Sequence, residues 1–114
     1  MQYLDQAALN ELDVQAFRNR RPYPWSGLAG VLRAEAYEQL RADLPPVAMF
    51  QPVFGKARRF GQQSHDRYVL EYDPGLKLAP SWQQFIAELQ GSLYRAWLAR
   101  MMGSRGFELF FHWH

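Results

Sequence analysis

The feature that most constrains this chain is the stretch from Ser81 to Met102. It carries Trp82, Phe85, Ile86, Leu89, Leu93, Trp97 and Met101 at helical spacing, so in one continuous helix these side chains share a single stripe. Ser81 and Gln84 stand at capping-box spacing at its start, and Gly103 marks its end. The pattern predicts one long helix over Ser81–Met102. Its stripe is broader than a short neighbouring helix can cover, which makes a sheet the expected partner. The rest of the chain offers material for that sheet: four Trp, six Tyr and eight Phe among 114 residues, side chains that favour a pleated, half-buried surface.

Upstream, Leu4, Ala8, Leu9 and Leu12 suggest a short helix over Leu4–Leu12, followed by a basic bend at Arg18, Arg20, Arg21 and Pro22. Trp25–Val31 reads as an extended run. Leu32, Ala36, Tyr37, Leu40 and Leu44 then recur at helical spacing until Pro45 and Pro46 stop the helix. Met49–Phe54 and Arg67–Tyr72 read as strands. In the second, Tyr68, Leu70 and Tyr72 alternate with Arg67, Val69 and Glu71, and Asp73-Pro74-Gly75 supplies turn chemistry at its close. Phe107–His114 is dominated by aromatic residues on both strand faces. No repeat or low-complexity tract divides the chain, so residues 1–114 read as a single α+β domain with helices packed on an incomplete antiparallel sheet.

Charge and cysteine content exclude several chemistries. Thirteen basic against eleven acidic residues leave a net charge of +2, too little to demand a nucleic-acid or membrane partner. The clusters Arg18, Arg20, Arg21 and Lys56, Arg58, Arg59 lie near aromatic residues, as in single-strand binders, but the acidic residues are spread among them and argue against that use. Without cysteine there is no disulfide, thiolate metal site or cysteine nucleophile, and a cytoplasmic location is the expectation. The polar opening residues carry no secretory signal or membrane span. Gly27 and Gly30 lack the spacing of a phosphate loop. His65-Asp66 looks superficially like a phosphohydrolase metal pair, but the remaining acidic residues are scattered, and a salt-bridged strand entry involving Arg58, Arg59 or Arg67 is the simpler reading. His112 and His114 stand two apart in a predicted strand, so they share a face and could in principle share a metal. No third donor accompanies them at matching spacing.

Several of these pieces together are similar to one family. Pro22-Tyr23-Pro24-Trp25, the helix ending in Leu44-Pro45, the run Arg58-Arg59-Phe60-Gly61-Gln62-Gln63-Ser64-His65-Asp66-Arg67-Tyr68, the helix of Trp82 and the terminal Phe111-His112-Trp113-His114 resemble bacterial prolyl-hydroxylase-like 2-oxoglutarate/iron(II)-dependent oxygenases, over about Pro22 to His114. The resemblance implies the N-terminal portion of a double-stranded β-helix, or jelly roll, in an enzyme that hydroxylates an unactivated C–H bond with iron(II), 2-oxoglutarate and dioxygen. It also implies an iron site made of a His-x-Asp/Glu pair and a distant His, with a later Arg or Lys on the 2-oxoglutarate carboxylate. None of these 114 residues forms that pattern. The implied metal pair falls beyond His114, no catalytic or metal-binding residue carries over, and this chain alone is expected to be inactive and to hold neither iron nor 2-oxoglutarate. By the same resemblance His112 and His114 become pocket-lining candidates near the cofactor cavity. The terminal aromatic strand is then an open edge, expected to self-associate or to pair with a missing C-terminal segment. The alternative is a small interaction module that binds another protein through that same edge by strand addition.

Overall fold

The computed structural model of the chain describes residues 2–21, 30–54, 67–104 and 106–114. Among them are five α-helices and a three-stranded antiparallel sheet, an α+β composition. The helices are α1 (Gln6–Asn10), α2 (Val14–Asn19), α3 (Ala34–Ala42), α4 (Pro80–Leu89) and α5 (Ser92–Met102); the strands are β1 (Gln51–Val53), β2 (Arg67–Glu71) and β3 (His112–Trp113). The chain divides into two compact units. One comprises Met1–Leu44 with Ala79–Glu108, and the other Pro45–Leu78 with Leu109–His114. No helix among the described residues is long and apolar enough to cross a membrane.

The expected long helix over Ser81–Met102 is two helices, which is a correction with a local cause. Gly91 takes φ −77° and ψ 167°, an extended conformation that ends α4 and serves as the N-cap of α5. Glycine is the weakest helix former after proline, costing about 1 kcal/mol relative to alanine in a helix interior. Leu93, predicted on the buried stripe, is 63% exposed, whereas Tyr94 and Leu98 join Trp97 and Met101 against the core.

The partner of that apolar surface is also corrected. In the helical unit, Trp97 and Met101 pack with Leu4 and Leu9, surrounded by Leu12, Val14, Phe17, Val31, Leu32, Phe85 and Leu89. Within the helical unit the stripe is therefore covered by the N-terminal segments. A neighbouring cluster of Tyr3, Ala36 and Leu40 receives Leu32, Trp82 and Phe85. Hydrogen bonds spanning most of the sequence lock this arrangement. The Glu88 carboxylate accepts the backbone N–H groups of Tyr3 (2.8 Å) and Leu4 (2.9 Å), the Tyr3 hydroxyl donates to Gln84 Oε1 at 2.8 Å, and Trp97 Nε1 donates to the Leu9 carbonyl at 2.9 Å. On its other side the N-terminal segment pairs with residues 31–33, through Asp5 N–H to the Val31 carbonyl (2.7 Å) and Arg33 N–H to the Tyr3 carbonyl (2.9 Å).

Helix ends follow the side chains available. Asp5 and Asp13 cap α1 and α2, accepting from Ala8 and Ala16 N–H at 3.1 and 3.0 Å. The capping box expected at Ser81 and Gln84 does not form. Pro80 is the first residue of α4 and Ala79 its N-cap, which puts Ser81 inside the helix, where its hydroxyl donates to Asp43 Oδ2 at 2.6 Å. The C-terminus of α5 ends on Gly103 at φ 70°, and the Arg18 guanidinium donates to the carbonyls of Met101 and Arg100 there.

In the second unit the strands are shorter than expected. Pro46 leads into a 3-10 turn at Val47–Met49, so β1 begins only at Gln51. Of the aromatic segment 107–114, only His112–Trp113 pairs as a strand, on β2. The strand order is β1-β2-β3. The expected strand over Trp25–Val31 lies, except for its last two residues, outside the described residues.

Candidate functional site

Register decides what the sheet presents. β2 pairs with β1 through Gln51↔Val69, Pro52↔Tyr68 and Val53↔Arg67, and with β3 through Leu70↔Trp113 and Glu71↔His112. Residues directly opposite share a face, and side chains alternate along each strand. One face therefore carries Pro52, Tyr68, Leu70 and Trp113; Leu70 is buried. The other carries Gln51, Val53, Arg67, Val69, Glu71 and His112, with His114 two residues on. Beyond the paired strands, Tyr72 N–H donates to the Phe111 carbonyl at 2.9 Å, and their rings meet edge to face with centroids 5.8 Å apart.

The structure brings together the two imidazoles singled out by the sequence. His112 and His114 are both exposed, and their ring centroids lie 4.6 Å apart with planes at 86°. Among the described residues no three His, Asp or Glu side chains gather as a metal-holding group. Two exposed imidazoles do not fit an iron centre of two His and one carboxylate. His65-Asp66 with Arg58 and Arg59, and Lys56 of the basic cluster, lie outside the described residues. Of the N-terminal basic cluster, Arg18 is engaged on the end of α5, and capping that helix is the role the geometry gives it.

A feature the sequence did not signal is a groove of about 620 Å³ along α5, lined by Ser92, Arg95, Ala96, Ala99, Arg100 and Phe107. Arg95 Nη2 donates to the Phe107 carbonyl at 3.2 Å, and its guanidinium lies 5.1 Å from the Phe107 ring centre, a cation–π contact. Among the described residues, no His, Asp or Glu stands on the groove wall to serve as a general base for Ser92. Nothing in the spacing of Arg95 and Phe107 marks the contact in advance, because it depends on how the chain turns after Gly103.

Tyr3 and Asp43 are among the groups of the helical unit with displaced proton affinities. Burial, reinforced by the Glu88 and Asp43 carboxylates, holds the Tyr3 phenol above its ordinary range. The Ser81 hydroxyl, then the Gln39 amide, hold Asp43 below the ordinary carboxylate range. Both groups serve the packing of α3 and α4 and the N-terminal segment, and neither lines the groove.

No family model, curated protein or solved structure matches the chain.

Proposed function

We propose that this chain is the N-terminal part of an iron(II)/2-oxoglutarate-dependent dioxygenase that hydroxylates an unactivated C–H bond, and that its three strands open a double-stranded β-helix. The observation that carries the reading is the entry of the aromatic C-terminal segment, as β3, into an antiparallel sheet at an edge position beside β2. A jelly roll is continued by adding strands at such an edge. The motif resemblance over Pro22–His114 supplies the chemistry: iron and 2-oxoglutarate, when bound in the complete enzyme, provide the oxidising power. In this reading the described residues contribute support and wall, His112 and His114 line the pocket, and the site of action is cytoplasmic.

The test is expression of the chain with and without the coding sequence that follows it, assayed for iron-dependent release of succinate from 2-oxoglutarate. The longer product is expected to turn over and the 114-residue chain to be inactive. Turnover by the short chain, or none by a folded longer product, contradicts the proposal.

The second reading, an interaction module, draws on the two edges of the sheet. Pro52 lies on β1, where it supplies no N–H to a further strand, whereas β3, the other edge among the described residues, contains no proline, and Phe110 beside it is 80% exposed. A partner strand would add at β3. That reading predicts a monodisperse chain with a cooperative melt; an incomplete barrel predicts oligomers or a broad transition, and size-exclusion chromatography with thermal melting separates them.

A further inference from the structure

We propose that His112 and His114 form a two-imidazole chelate for a late first-row divalent cation of the Ni²⁺ or Cu²⁺ kind, on the exposed face of the sheet, with water completing the coordination shell. Strand periodicity fixes the first requirement, because residues two apart project from the same face. The second requirement is spacing. Two imidazoles holding one ion through bonds of about 2.1 Å at roughly right-angled to tetrahedral positions have centroids on the order of 4.5–5.3 Å apart. The observed 4.6 Å lies in that interval, and both rings are exposed, so turning the ring nitrogens toward a shared ion displaces no core packing.

The charge nearest the pair on this face is an anion, while Arg67 on the same face lies four residues away along β2. Glu71 is the cross-strand partner of His112 and shares its face. Neutral imidazole suits the later transition metals, and affinity for a given nitrogen site rises toward Ni²⁺ and Cu²⁺. Fe²⁺ is among the weaker ions in that order, which separates this site from any iron centre. The inference uses only residues of this chain and stands independently of the oxygenase reading.

Calorimetric titration of the full chain with nickel chloride tests it. One saturable site per chain is expected. H112N and H114N should each lose about tenfold or more in affinity, while H65N, which replaces the remaining histidine, keeps it. Circular dichroism establishes that each variant is folded, and the unmodified chain offers a check free of substitutions: substoichiometric Ni²⁺ should broaden the ring proton signals of His112 and His114 together and spare those of His65. Absence of saturable binding, wild-type affinity in either variant, or loss of binding in H65N overturns the proposal.

Discussion

At the scale of single residues, Glu88 holds the N-terminal segment in place. One carboxylate oxygen takes the Tyr3 N–H and the other the Leu4 N–H, and both residues are buried, so truncation leaves two donors without partners. Glu88→Ala is expected to cost about 3 kcal/mol, since each bond to a charged acceptor contributes roughly 1.5–3 kcal/mol; urea denaturation measures it. Tyr3 gives a pH signature. Its phenol keeps its proton to higher pH in the folded chain than in the unfolded one, so its contribution is complete below about pH 10 and is lost as pH rises through the folded value. Tyr3→Phe should flatten that alkaline loss and remove about 1 kcal/mol at neutral pH with the Gln84 hydrogen bond. Asp43 acts in the opposite limb. Its lowered affinity for protons contributes stability above the ordinary carboxylate value, lost as pH falls through the folded one, and Ser81→Ala should diminish the acid dependence seen in melts across pH. None of these contacts was legible beforehand, because each joins residues that are distant in sequence and adjacent only after α4 packs against the N-terminal segment and the end of α3.

At the scale of elements, amphipathic spacing located helical structure over 81–102 but not its break. Gly91 was visible in the sequence, yet the regular recurrence of Leu89, Leu93 and Trp97 argued for continuity across it. The choice turns on backbone conformation at one glycine, and half-buried Tyr94 and Leu98 pack against the core while Leu93 is exposed. The same holds for Ser81: its spacing to Gln84 fits a capping box, but Pro80, with no N–H to lose, is better suited to the first helical position. The aromatic segment shows a different limit. Alternation and apolar content announce a strand, whereas pairing depends on partner backbone, and β2 offers it at only two residues of β3. Gly103, by contrast, was read correctly as a helix stop. A Cβ there would stand 3.1 Å from the Arg18 guanidinium, at φ 70°, so Gly103→Ala should destabilise by about 1–2 kcal/mol. Gly75, whose added Cβ would meet nothing closer than 3.7 Å, should tolerate alanine with a much smaller change in melting temperature.

At the scale of the whole molecule, the α+β composition and the antiparallel pairing of β2 were readable from periodicity, and the imidazole pair of the candidate site from residue spacing. The groove beside Arg95 was not, since it arises from the chain's course after Gly103. The sequence contains no His-x-Asp/Glu pair, so the proposal assigns the iron ligands to residues outside these 114. The oxygenase proposal is thus a statement about what should be joined to β3. Sequencing the transcript beyond the codon for His114 tests it most directly. The account predicts an in-frame His-x-Asp or His-x-Glu shortly downstream, followed by a distant His and then an Arg or Lys; a stop codon at that point, with no complementary fragment encoded nearby, would contradict it.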